Sequence, residues 1–194
     1  MPAGLKSFAT PATDKEATDS GLVTGQYAGL KAVGKGGVCV AEVFKITKPG
    51  LKIWRVFSKS AQSRMGAWWS FDKSDDHYKT RKAWRTDSGV CRDWNPAADG
   101  IFSCNLAKGD LIAVGPGQSA FCDDTSINAA VLDKTHYPPS KTVQIFWNGW
   151  RRGTPSCSTS MPIKRWTDVE GREGKGPLPG AKSGSASRKK PAAH

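Results

Sequence analysis

The 194-residue chain contains no run of about 18 apolar residues, so nothing in it reads as a membrane-spanning helix. Its opening, Met1-Pro-Ala-Gly-Leu-Lys6, lacks the apolar stretch of a secretory signal peptide. There is no GxSxG and no HExxH, and the histidines are few: His77, His136 and His194. A histidine base would have to be His77 or His136. The five cysteines (Cys39, Cys91, Cys104, Cys122 and Cys157) include no CxxC pair and have no histidine cluster beside them. That spacing argues against a zinc site, and no metal is expected. Gly34-Lys-Gly-Gly37 lacks the spacing of a phosphate loop and reads as a turn.

Acidic residues are also scarce: 17 Asp/Glu stand against 29 Lys/Arg, a formal charge of +12. Residues 151–194 carry ten of the basic and three of the acidic residues, so more than half of the excess belongs to the C-terminal stretch. Basicity therefore says little about what the folded part binds, although the tail can steer the protein to nucleic acid or an acidic partner.

What is abundant is tryptophan, with 8 residues, and turn formers, with 21 Gly and 12 Pro. Length and composition fit one small, strand-rich α+β domain with a single core. We expect a flexible leader over 1–33, poor in apolar periodicity, a folded domain over 34–166, and a disordered basic tail over 167–194. For the cysteines two readings stand: one or two disulfides, with Cys91 and Cys104 able to close a short loop, or reduced, buried thiols.

Within the domain, Val38–Ile46 reads as a first strand, and Leu51–Phe57 alternates so that Ile53, Arg55 and Phe57 share a face. Gly66-Ala-Trp-Trp-Ser-Phe71 follows as a glycine turn backed by aromatics. Ser74–Arg85 has helix-start chemistry, with Ser74 as the cap and Asp75 and Asp76 in the first turn. Residues 86–100 read as a loop carrying Cys91 and Trp94. Ile101–Leu106 and Asp110–Val114 are two strands joined by a hairpin or a strand-turn-strand corner. Gly115-Pro-Gly117 is expected to turn the chain. Thr142–Trp147 is the last strand, with Val143, Ile145 and Trp147 on one face and Gln144 and Phe146 on the other.

Three features carry chemistry: a cation on an early strand (Arg55), an aromatic turn (Gly66, Trp68, Trp69, with Ser70), and a polar Gln144 on a late strand. An arginine can grip phosphate, tryptophan can stack on a heterocycle, and a glutamine amide can hold ribose hydroxyls. Their order along the chain resembles the ADP-ribosyltransferase superfamily, in particular its bacterial toxin branch, which includes necrotizing-toxin-like NAD glycohydrolases. The resemblance spans about residues 38–150.

That resemblance implies a nucleotide-binding role for Arg55 on the phosphate of NAD, with Gly66, Trp68 or Trp69 and Ser70 walling the nicotinamide. Gln144 would occupy the position that is Glu in most transferases and Gln in some glycohydrolases, which favours hydrolysis of NAD over transfer. Arg55 and Gln144 are thus the candidate catalytic pair. The Ser158-Thr-Ser160 triplet falls after Gln144, out of the family's order, and no Glu-x-Glu pair follows it. The resemblance further implies a secreted toxin or effector, delivered into a target cell, with a cognate immunity protein as partner. Two other functions compete: a ribonuclease using His77 in Asp76-His-Tyr-Lys79, and a non-enzymatic nucleic-acid-binding or structural protein whose tryptophans are core.

Overall fold

The computed structural model describes residues 4–22, 36–38, 40–59, 66–92, 94–122, 135–149 and 156–168. Along the chain the elements are β1 (Ala9–Pro11), α1 (Asp14–Asp19), β2 (Glu42–Ile46), β3 (Lys52–Phe57), β4 (Trp68–Trp69), α2 (Ser74–His77) and α3 (Arg81–Ser88). They continue with β5 (Gly100–Asn105), β6 (Leu111–Pro116), β7 (Ala120–Phe121), β8 (His136–Tyr137), β9 (Val143–Phe146), β10 (Ser156–Cys157) and β11 (Met161–Pro162). This is the small, strand-rich α+β architecture that the composition predicts.

Two antiparallel sheets share one core. The first has the order β1-β2-β6-β9-β4; in the second, β5 pairs with β3 along its length and also with β10 and β11. Because side chains alternate along a strand, Ile112 and Val114 of β6 point between the sheets while Ala113 points away. Ile145 of β9 and Ile53 and Phe57 of β3 fill the same inner layer, with Phe102 edge-on to Phe57 at 5.5 Å. The strands at 101–106 and 110–114 do not pair with each other. Their link is a corner that carries the chain from one sheet to the other.

The N-terminal expectation is corrected in part. Residues 4–22 of the predicted flexible leader are folded: β1 pairs with β2, and Leu5, Ala9 and Leu22 are buried. Helix α1 begins with a capping box, in which Thr13 accepts from the Glu16 backbone and Glu16 reaches back to Thr13. Six scattered apolar residues, three of them alanine, give no periodicity to read, yet burial against β2 and β6 is enough to order them. Residues 1–3 and 23–33 of that leader lie outside the described residues. At the other end, Thr167 and Asp168 of the predicted tail are anchored: Arg81 donates to the Asp168 backbone oxygen at 2.7 Å. The tail beyond 168 lies outside the described residues.

The single helix predicted over 74–85 is two. Tyr78 is extended, with φ −106° and ψ 139°, and Thr80 caps a second helix by accepting from the Ala83 N–H. Lys73, not Ser74, occupies the first N-cap; α3 ends at Gly89, whose φ of +58° is the left-handed conformation that glycine adopts without steric cost.

The pairing of Cys91 with Cys104 is also corrected. Cys91 bonds Cys122, and Cys104 bonds Cys157 across the β5–β10 register, while Cys39 lies outside the described residues. The second bridge fastens β10 to β5 and spans 53 residues of sequence. Cys157→Ser is expected to lower the unfolding free energy by about 2–4 kcal/mol, measured by urea denaturation under non-reducing conditions.

The Lys45 ammonium and the Thr13 backbone N–H and hydroxyl hold the Glu16 carboxyl down to about 2, against an ordinary 4.5. A depressed carboxyl stabilises the fold above its unfolded-state value and loses that contribution as pH falls toward its folded value. The difference in urea midpoint between wild type and Glu16→Gln should therefore be largest above about pH 5 and shrink as the pH drops toward 2.

Candidate active-site cleft

The two sheets meet where β3 passes β4. Trp54 and Ser70 exchange backbone hydrogen bonds, each 2.8 Å, and this bridge holds the Trp68-Trp69-Ser70 turn against β3. Beside the bridge lies a cleft of about 330 Å³. Its walls include Arg55 of β3, Trp68, Trp69 and Ser70 of the turn, Gln144 of β9, and Gly89, Val90 and Trp94 from the loop after α3. Five of the six predicted positions, Arg55 included, thus line the cleft, and Gly66, the sixth, sits directly behind the Arg55 head group.

Arg55 is half-buried on the same face as Ile53 and Phe57, as the alternation requires. Its Nη1 donates to the Trp68 carbonyl oxygen at 3.0 Å, which ties the early strand to the aromatic turn. Burial pushes the guanidinium down to about 10, so it remains a cation at neutral pH. Gly66 is what lets the head group fit: a Cβ at that position would overlap the guanidinium.

Gln144 is seated in a parallel way. Its Nε2 donates to the Ser88 carbonyl oxygen at 2.6 Å, at the last turn of α3, which fixes the orientation of the amide and leaves Oε1 as its acceptor end. A Cβ at Gly117 would come within 2.9 Å of that Nε2. The glycines of 115–117 therefore do more than turn the chain. Gly115 lies in β6 itself, pressed against the Val40 carbonyl, and Gly117 leaves space for the Gln144 amide.

The two tryptophans of the turn divide their work. Trp69 is only 3% exposed, packs edge-on against Phe102 and Trp147, and donates its indole N–H to the Gly66 carbonyl oxygen at 2.8 Å. It is a core residue that backs the cleft. Trp68 is half-buried, edge-on to Phe146 at 5.0 Å, and presents aromatic surface to the cleft.

Several cleft residues escape sequence reasoning. Trp54 lines the cleft from β3, and the period-two pattern that puts Arg55 beside Ile53 could have flagged it as facing the other way. Trp84 and Trp94 give no local signal, because both reach the cleft through tertiary packing. The loop that carries Trp94 is held from inside by Arg85, 1% exposed, which donates to the carbonyls of Asn95 at 2.8 Å and Pro96 at 3.2 Å. Asn95 in turn accepts from the Ser58 hydroxyl at 2.7 Å and donates to the Val56 carbonyl at 3.1 Å. The Cys91–Cys122 bridge fastens the start of the same loop.

No carboxylate is among the cleft's described wall residues, and among the described residues no group of three His, Cys, Asp or Glu is placed to hold a metal ion. His77 is exposed at the end of α2, edge-on to Tyr78 at 4.7 Å, and does not line this cleft. Ser158 of the Ser-Thr-Ser triplet is committed to β5, its Oγ accepting from the Ser103 N–H at 3.1 Å. No helix of the described residues is long and apolar enough to cross a membrane.

No family model matches the chain, and no curated protein does. Among solved structures it is similar to one described as Tne2 in complex with Tni2, at 12% sequence identity and a TM-score of 0.41. The match covers 68% of this chain and 97% of that one.

If Gly66 and Gly117 are the seats of the two polar side chains, adding a methyl group to either should be felt. Gly66→Ala and Gly117→Ala are each expected to push aside the flexible head group of Arg55 or Gln144 at a cost of less than about 1 kcal/mol in urea unfolding, whereas Gly109→Ala, whose Cβ would meet open space, tests the cost of the left-handed backbone alone.

Proposed function

We propose that the protein is an NAD-consuming toxin or effector that hydrolyses the nicotinamide–ribose bond of NAD in the cleft between Arg55 and Gln144. The observation that carries this reading is the convergence of a half-buried cation, a fixed amide and aromatic surface on one cleft of about 330 Å³. Those are the three chemistries that a phosphate, a ribose and a nicotinamide ring require.

Arg55, held by the Trp68 carbonyl, grips the phosphate next to the ribose. Trp68 stacks on the nicotinamide ring, and Ser70 stands beside it on the bridge to Trp54. Gln144, its nitrogen occupied by Ser88, accepts a ribose hydroxyl through Oε1. As the glycosidic bond lengthens, its electron pair leaves with nicotinamide, which departs neutral, and C1′ gains oxocarbenium character. Water then adds to C1′ and gives its proton to solvent, leaving ADP-ribose.

Such a reaction needs little acid–base chemistry, so positioning and electrostatic contact supply most of the rate gain. A cleft whose described wall residues include an amide and no carboxylate suits this hydrolysis better than transfer to a protein acceptor. The resemblance to the toxin branch of the ADP-ribosyltransferase superfamily supports the same chemistry. Two disulfides suit a protein that folds in or passes through an oxidising compartment, in keeping with export or delivery, and an immunity protein covering the cleft is the expected partner.

Gln144→Ala should lower kcat for nicotinamide release by about 10² or more, while losing about 1–2 kcal/mol of stability with the Ser88 hydrogen bond, so the rates are compared on protein shown to be folded by urea unfolding. Arg55→Ala should act mainly through KM for NAD, because it removes a phosphate contact made equally in ground and transition states. Wild-type rates in Gln144→Ala would remove that residue from the site. Loss of RNA cleavage in His77→Ala with Arg55→Ala harmless would favour the ribonuclease function instead.

A further inference from the structure

A cleft of about 330 Å³ lies at the small end of ligand sites, which run from about 300 to 1,000 Å³, and suits half of a dinucleotide better than the whole. A second cavity of about 560 Å³ adjoins it. The two share Ser70, Ser74, Ser88, Thr142 and Val143 as a common wall, so they are lobes of one groove.

The second lobe differs in chemistry from the first. Leu5, Leu51 and Phe71 give it an apolar floor, and Lys52, Asp72 and His77 a polar rim. Lys52 sits at the junction: it lines the second lobe, while its ammonium stands 5.8 Å from the centre of the Trp54 ring, a wall of the first. Lys73 is at a similar distance from that ring but is paired with Asp75 at 3.0 Å, so Lys52 is the cation turned to the groove. Burial, with the Asp87 and Asp72 carboxylates, raises the Tyr78 phenol of this lobe above its ordinary value, keeping it a protonated donor at neutral pH.

We propose that the second lobe binds the adenosine-phosphate half of the substrate, with the base on the Leu51 and Phe71 floor and Lys52 on the phosphate bridge. The groove then selects a dinucleotide over a mononucleotide. This rests on the NAD reading of the first lobe, where Arg55 holds the phosphate nearer the nicotinamide.

The test compares kcat/KM for NAD and for nicotinamide mononucleotide in the wild type, Lys52→Gln and Lys52→Glu, with AMP as a competitor. Lys52 is exposed on β3, so neither change should disturb the fold, and the urea midpoint checks this. The expected result is a loss of about tenfold or more in kcat/KM for NAD, as for a hydrogen bond to a charged group, with the mononucleotide unaffected. Inhibition by AMP should weaken in parallel. If the wild type cleaves NAD but Lys52→Glu changes both substrates equally or neither, the assignment of the second lobe is overturned and the first lobe's function stands. If the wild type cleaves neither substrate, both are overturned.

Discussion

The pair of backbone hydrogen bonds between Trp54 and Ser70 is the joint on which the groove depends. Without it β3 would belong only to the sheet built on β5, and the Trp68-Trp69 strand only to the other sheet, as its edge beside β9. With it, a strand from each sheet is brought edge to edge, and Arg55 on one can donate to the Trp68 carbonyl on the other. The hydrophobic layer beneath, where Trp69 packs on both Phe102 and Trp147, fills the same seam with aromatic volume. Backbone pairing sets the geometry and buried area stabilises it; neither would hold the cleft alone.

The polar groups of the cleft are each fixed before any ligand arrives. Arg55 is oriented by a carbonyl and by the absence of a Cβ at Gly66, and Gln144 by the Ser88 carbonyl and by the space at Gly117. Groups oriented in advance do not have to be reorganised as charge develops, which is where a reaction without acid–base steps gains its rate. The loop that closes the cleft is tied down by different means: the buried Arg85 gathers its carbonyls, Ser58 and Asn95 bond across to β3, and the Cys91–Cys122 bridge pins its start.

Much of this was legible in the sequence. Period-two alternation found β3, β6 and β9 and put Gln144 and Ile145 on opposite faces of their strand, because that signal comes from one buried sheet face and survives any tertiary arrangement. It also singled out Arg55 and Gln144, while the glycine turn with its aromatics pointed to Trp68 and Ser70, and the fold gathers all four into one cleft. What failed was set by contacts distant in sequence. Residues 4–22 fold because β2 offers an edge and α1 covers Val43 and Ala113, and none of that is written in a local pattern. The break at Tyr78 has no glycine or proline to announce it; the ring packs with Trp84 and Val56 instead of continuing a helix. Cysteine spacing says which bridges the chain can close, and only the β5–β10 register decides that Cys104 takes Cys157.

The central claim is that the cleft between Arg55 and Gln144 breaks the nicotinamide–ribose bond of NAD. The most direct measurement is incubation of the purified, disulfide-intact protein with NAD, following nicotinamide and ADP-ribose with and without an acceptor protein. The account predicts equimolar release of both products without an acceptor, and no label carried to one when it is added. Intact NAD after prolonged incubation would contradict it, and ADP-ribose appearing on the acceptor would contradict hydrolysis in favour of transfer.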